Sequence, residues 1–311
     1  MDTGHVHRPV LLKEAVERLA VRADGVYVDG TFGRGGHTRE ILARLGQQGS
    51  LIAIDRDPEA VAVGQAQWGD DRRFTLHRGA FSMLEHIARQ TGVTGQVNGV
   101  LLDLGVSSAQ LDDPKRGFSF MSDGPLDMRM DPDAGESAAE WLTQAEEKEL
   151  ADVIYQYGEE RFAKRIARAI VAVRASTPIA TTRQLAAIVS GAVLRRERNK
   201  HPATRTFQAL RIFINGELEE LASCLDQCLR VLAPGGRLAV ISFHSLEDRL
   251  VKRFIRSHSR EMPPDPRAPW VRSNANPSLR PVGRAVHPDR AEIALNPRAR
   301  SAVLRAAARL P

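Results

Sequence analysis

The sequence predicts a doubly wound, mostly parallel α/β sheet interrupted by a helical insertion. Three observations predict it. Val26-Tyr-Val-Asp29 is a strand-like run that leads into a turn crowded by Gly30, Gly33, Gly35 and Gly36, followed by a helical pattern from His37 to Leu45. Strand-like and helix-like segments then alternate as far as Asp103. From about Leu111 to Arg211 the alternation stops, and it resumes only afterwards.

Taken in order, His7 to Glu14 leads into a first helix that runs to about Leu19. After the glycine turn, Leu51-Ile-Ala-Ile-Asp55 is a second strand. Pro58 to Trp68 is a helix with proline early, where its missing N–H costs little. Arg73 to His77 is a third strand and Phe81 to Gln90 a helix. Val97 to Asp103 is nearly continuous in apolar residues, as a central parallel strand should be. Lys115 to Met130 is turn-rich and aperiodic. Helices follow it, with capping-box starts expected at Ser137-x-x-Glu140, Thr143-x-x-Glu146 and Thr181-x-x-Gln184. Phe162, Ile166, Ile170 and Val173 form one apolar stripe. Leu210, Ile214, Leu218, Leu221 and Leu225 mark a long helix, and Ala233 to Gly236 a turn. Arg237 to Phe243 is a fifth strand and Leu246 to Ser257 a helix. Glu261 to Pro281 reads as a long loop. Val282 to Ala308 reads as two closing strands with Asn296 to Ser301 as the turn between them. The expected organisation is a discontinuous domain over 1–112 and 214–311, with an insertion over 113–213.

The glycine turn carries the first chemical signal. Glycines allow close backbone approach, and the following helix start offers free N–H groups to an anion. A dinucleotide fingerprint starting at Gly33 would need a third glycine where Thr38 stands, and no lysine completes a P-loop. Asp55 ends the second strand, where an acid suits ribose hydroxyls. The unit therefore fits a nucleoside whose other end is a carboxylate, and S-adenosylmethionine has that shape.

Composition narrows the class. The charge balance, 44 Lys and Arg against 38 acids for a net +6, permits a polyanionic partner. Cys224 and Cys228 are the only cysteines and lie in an apolar helical pattern, which favours helix packing over a zinc site or a disulfide framework. The N-terminal residues lack the apolar core of a signal peptide, and no run approaches the ~20 apolar residues of a membrane span. A cytoplasmic protein without membrane attachment is expected. The oligomeric state stays open, a homodimer included.

An ordered set of motifs then becomes specific. It includes His7 to Glu14, Asp29-Gly-Thr-Phe-Gly-Arg-Gly-Gly-His37, Leu102 to Leu111, Arg116-Gly-Phe-Ser-Phe120, Asp123 to Met130 and Tyr157 to Arg161. It continues with His201 to Arg211, Gly235 to Arg249 and Asn296 to Ser301. In this the chain resembles the MraW/RsmH family of small-subunit ribosomal RNA cytosine-N4 methyltransferases, from residue 7 to about 305. The resemblance implies a class I S-adenosylmethionine-dependent methyltransferase, Rossmann-like, with a helical insertion. It implies methyl transfer to the exocyclic N4 of a cytidine in 16S ribosomal RNA, at the decoding region, on bare RNA or on the assembled small subunit. It also implies cofactor contacts at Gly35, Gly36, His37, Asp55, Phe81, Asp103 and Gln110.

Each position has a physical role to fill. Gly35, Gly36 and the His37 N–H can cradle the methionine end, Asp55 can accept from both ribose hydroxyls, and Phe81 can pack on adenine. Many amino methyltransferases carry Asp/Asn-Pro-Pro-aromatic where this chain has Asp103-Leu-Gly-Val-Ser107. Asp103, Ser107 and His244 are thus the candidate acceptors for the N4 hydrogens. Arg195, Arg196, Arg198, Lys200 and Arg205 make a basic loop suited to RNA, and Arg161, Lys164, Arg165 and Arg168 a second basic face. Two rival readings are an enzyme of this fold acting on DNA or protein, and a non-catalytic RNA-binding protein. Activity on each polymer separates the first, and cofactor binding the second.

Overall fold

The computed structural model describes residues 9–195, 201–259 and 277–311. The chain divides into two compact units, one of Met1–Gly105 with Leu218–Pro311 and one of Val106–Glu217. The second is slightly wider than the insertion read over 113–213, because Val106 and Leu111 already pack against its core.

In the first unit α1 (Leu12–Leu19) precedes β1 (Val26–Asp29), α2 (Gly36–Leu42), β2 (Ser50–Asp55) and α3 (Pro58–Trp68). β3 (Phe74–Arg78), α4 (Leu84–Gln90) and β4 (Val97–Asp103) complete its first half. The helix expected from Phe81 begins as a 3-10 turn, Phe81–Met83, before α4. In the second unit α5 (Ser108–Asp112), α6 (Ala138–Gln144), α7 (Glu147–Gly158), α8 (Ala163–Arg174), α9 (Thr182–Ala192) and α10 (Thr204–Asn215) follow one another. The chain ends with α11 (Glu217–Val231), β5 (Leu232–Ser242), α12 (Ser245–His258), β6 (Leu279–Pro281), α13 (Arg290–Leu295) and β7 (Val303–Arg309).

The sheet order is β3-β2-β1-β4-β5-β7-β6, parallel from β3 to β5, with β7 antiparallel to both β5 and β6. Successive side chains on a strand face opposite ways, and here both faces are apolar. Val28, Ile52, Val100 and Leu102 enter one core with Leu84, Leu225 and Val251. Tyr27, Leu51, Leu101 and Ala239 enter the other with Val16 and Ile41. Cys224 and Cys228 are free and buried in the first of these cores. The second unit has its own core around Leu126, Met128, Trp141, Ile154, Ile166 and Leu185. No helix among the described residues is long and apolar enough to cross a membrane.

Several local expectations need correction. The capping boxes at Ser137/Glu140 and Thr181/Gln184 form. Thr143 instead lies inside α6 and donates to the Ala139 carbonyl, so it starts no helix. The long helix read across Leu210 to Leu225 is two helices, α10 and α11, broken at Gly216 with φ +59°. Ala233 to Gly236 is a bulge within β5, where the pairing with β4 shifts register. The closing strands are β6 and β7. The first lies within the stretch read as a loop, and Arg290–Leu295 is helical rather than strand.

Candidate active site

Four parallel strands end on one edge, at Asp29, Asp55, Asp103 and Ser242. The strand order reverses between β1 and β4, the crevice position at which open α/β sheets hold ligands. The turn after β1 is tied down on both sides. The Gly30 N–H donates to the Leu101 carbonyl at 2.9 Å, and Phe32 N–H to the Ile54 carbonyl at 3.0 Å. Leu102 packs closely over Gly30: a Cβ there would stand 2.6 Å from Leu102 Cδ2.

Asp29, absent from the residues singled out in the sequence, organises this turn. It is buried, and its two oxygens accept from the Thr31 N–H at 3.2 Å and the Thr38 hydroxyl at 2.8 Å. Burial pushes its pKa up to about 6, against those two hydrogen bonds and with the Asp55 charge adding to the rise. The signal was available: Asp29 closes a strand at the head of the glycine motif, as Asp55 and Asp103 close theirs.

Asp55 braces the same turn. It accepts from the Gly33 N–H at 2.7 Å and from the Asp57 N–H at 2.9 Å, one on each oxygen. A carboxylate has about four acceptor sites, so each oxygen keeps one for a further donor. Burial raises its pKa, partly offset by those two N–H groups. At Gly33 the side-chain direction is open. At Gly35 and Gly36 it is filled by the protein, since a Cβ would stand 2.4 Å from Trp68 and 2.1 Å from Pro9 respectively. Those two glycines therefore let Trp68 and Pro9 close on the turn, a packing reason beside the ligand reason read from the sequence. Phe81 flanks the turn: the same Cβ at Gly30 would be 3.4 Å from Phe81 Cβ.

Asp103 ends β4 with its N–H donated to Thr31 Oγ1 at 2.6 Å. Its Oδ2 stands 3.6 Å from His37 Nδ1, while Oδ1 is buried and has no hydrogen-bond partner among the described residues. Burial, then the Asp29 and Glu247 charges, push its pKa well above the usual carboxylate range. His37 is buried and held neutral, its pKa pushed down to about 4 by burial and only partly restored by the Val10 carbonyl.

His244 is the N-cap of α12. Its Nδ1 accepts from the Glu247 N–H at 3.4 Å and its Nε2 lies 3.1 Å from Glu247 Oε1. The other oxygen of buried Glu247 accepts from the N–H groups of Phe243 and His244. His244 is therefore the cap residue itself, locked by a glutamate that sequence reasoning passed over. The His-x-x-Glu spacing was the usable sign. Ser107 and Gln110 belong to the helical unit and form a reciprocal capping box at α5, with distances of 2.9 and 3.2 Å. Arg195 is exposed, and Arg205 donates to the Glu159 carbonyl at 3.1 Å. Arg196, Arg198 and Lys200 lie outside the described residues. Of the second basic face, Lys164, Arg165 and Arg168 are exposed on α8, and Arg161 precedes that helix.

The strand ends thus form an electron-rich edge with an unmatched buried carboxylate oxygen. It calls for a ligand carrying positive charge and several donors. A model of the MraW methylase family matches residues 4–310. The chain belongs to the MraW methylase family. It is 61% identical over 306 residues to the ribosomal RNA small subunit methyltransferase H of Thioalkalivibrio sulfidiphilus, covering 98% of this chain and 97% of that one. Proteins of the same name from Shewanella amazonensis and Thiobacillus denitrificans are 55% and 58% identical, covering all of this chain and 100% and 98% of theirs.

For an MraW methylase the methyl donor is S-adenosylmethionine, and the edge fits it. Its ammonium group would answer the orphaned Asp103 Oδ1, and its ribose diol the spare acceptor sites of Asp55. The sheet order, with its antiparallel seventh strand, is that of the class I methyltransferase fold.

Proposed function

We propose that this methylase transfers the methyl group of S-adenosylmethionine to the exocyclic N4 of a cytidine in small-subunit (16S) ribosomal RNA, at the decoding region. The names of the 55–61% identical relatives support small-subunit ribosomal RNA as the substrate class. The observation that carries the chemistry is Asp103, a carboxylate with one buried oxygen unmatched, at the point where the strand order reverses.

Bound S-adenosylmethionine supplies a methyl group on a positively charged sulfur. Cytosine N4 is a poor nucleophile because its lone pair is shared with the ring. An acceptor for its N–H hydrogens raises electron density on N4 and takes up the charge that develops there. Asp103 suits that task because it ends β4 at the reversal of strand order and its buried Oδ1 has no partner among the described residues. Asp55, through Gly33, holds the turn in one conformation, and fixed alignment is itself worth ~7–11 kcal/mol in such displacements. The base must leave its stack to reach a strand-end site. We assign RNA recognition to the helical insertion over 113–213, with Arg195 and Arg205 as backbone contacts, together with Arg196, Arg198 and Lys200. The substrate is the RNA itself or the assembled small subunit.

The test is direct. Small-subunit RNA is incubated with the protein and labelled S-adenosylmethionine, digested to nucleosides and weighed by mass spectrometry. N4-methylcytidine is the expected product. Label on another atom of cytosine, or only on DNA or protein, would overturn the assignment.

A further inference from the structure

Two motifs of the helical unit have no part in the chemistry above, Arg116-Gly-Phe-Ser-Phe120 and the stretch from His201 to Arg211. The fold brings them together. The Phe120 ring stacks on His201 with centroids 4.5 Å apart and planes at 29°, and meets Phe207 edge-on at 4.9 Å and 76°. Phe207 is buried, Phe120 half-buried and His201 exposed. The three rings form a ladder from core to surface, and His201 is the outer rung.

Both outer rungs are held still. His201 Nδ1 accepts the Ala203 N–H at 3.2 Å, and its carbonyl accepts the Thr204 N–H at 3.0 Å where α10 begins. Phe120 sits in an irregular but tightly tied segment. The buried Arg116 guanidinium donates to the Arg129 and Met130 carbonyls at 3.1 and 2.8 Å. Gly124 packs so closely that a Cβ would stand 1.9 Å from the Pro114 carbonyl oxygen. The rings therefore need no ordering on binding, which favours their use as a recognition surface.

One face of the His201 ring lies on Phe120, and the ring remains exposed. From Arg195 to Arg205 the chain carries five cations against Glu197 alone. Proteins that bind single-stranded nucleic acid combine these two elements, cations for the phosphates and aromatic faces for the bases. We propose that the Phe120–His201 pair is a stacking platform for one unpaired base of the RNA, a nucleotide other than the one that is methylated. This rests on the RNA reading above.

The experiment uses the full chain and small-subunit RNA transcribed in vitro, with affinity measured across a salt series. His201→Ala weakens binding about tenfold, since base–aromatic stacking is lost. His201→Tyr, which keeps a ring, recovers most of that loss. The salt slope of His201→Ala matches the wild type, whereas Arg195→Ala flattens it by about one. The KM for RNA rises in His201→Ala and the KM for S-adenosylmethionine stays unchanged. Wild-type affinity in His201→Ala would overturn the platform, and the RNA reading would stand if Arg195→Ala still weakened binding. A folded His201→Tyr no better than His201→Ala would also overturn stacking. Absence of RNA binding by the wild type would remove the RNA reading and the platform together.

Discussion

At Asp29 a buried carboxyl holds a pKa of about 6 against an ordinary value of 3.8. A raised carboxyl favours the protonated fold. The associated stability is complete below about pH 4 and is lost as the pH rises through about 6. Asp29→Asn keeps one acceptor oxygen for the Thr31 N–H and turns its NH2 to the Thr38 hydroxyl, which can accept, without the charge. It should be more stable than the wild type at pH 7, by on the order of 2–3 kcal/mol, with the difference vanishing near pH 4. Urea unfolding at the two pH values checks it. His37 works the other way: its stability contribution is present above about pH 6.5 and lost as the pH falls toward 4. Asp55→Ala should weaken S-adenosylmethionine and S-adenosylhomocysteine alike, by ~1.5–3 kcal/mol, as read by calorimetry. Unchanged affinity would take Asp55 out of the site. For Asp103→Asn the expected outcome is lower cofactor affinity together with a maximal rate that stays low at saturating cofactor, since a lost transition-state interaction is not recovered by substrate. Turnover restored at saturating cofactor would confine the charge to cofactor binding and remove Asp103 as the N4 acceptor. Of these carboxylates, Asp55 and Asp103 were legible because each ends an apolar strand. Asp29 and Glu247 left signs too, a strand end and a His-x-x-Glu spacing, but what each one holds, Thr38 and His244, shows only once the chain has folded.

Among elements, the turn after β1 and the break at Gly216 respond differently to the same substitution. Gly36→Ala drives a methyl into Pro9, 2.1 Å from its Cγ, and should destabilise by about 1–3 kcal/mol through overpacking. Gly216→Ala meets no atom within 4 Å and costs only the left-handed backbone, about 1–2 kcal/mol. Thermal melts that ranked the two in reverse would mean the Pro9 contact yields easily. The parallel strands and most helices were readable from apolar runs and from the Ser137 and Thr181 boxes. The break at Gly216 was hidden because Leu210, Ile214, Leu218, Leu221 and Leu225 keep a helical period straight across it. β6 was unreadable for a simpler reason: three residues ending in Pro281 carry no periodicity, and they become a strand only by pairing with β7.

For the whole molecule, the two units have separate cores, and the second is a single uninterrupted stretch of chain. A fragment of residues 106–217 should fold cooperatively with a helical circular-dichroism spectrum, bind RNA and fail to bind S-adenosylmethionine. A non-cooperative melt would show that its core needs the rest of the chain. The presence of an insertion was legible from the loss of β/α alternation, but its limits were not, since Val106 and Gly216 look no different from their neighbours until the packing is known. The sheet order has a further consequence, for synthesis. β5 needs β7 along its second edge, and among the described residues β6 pairs with β7 alone. A ribosome making this chain delivers β1 to β4 first and then the complete helical unit. Only afterwards do the strands that close the sheet emerge. The helical unit can be finished while the sheet still shows an open edge, so the nascent protein depends on its helices folding early and its incomplete sheet being kept from other chains until β7 arrives.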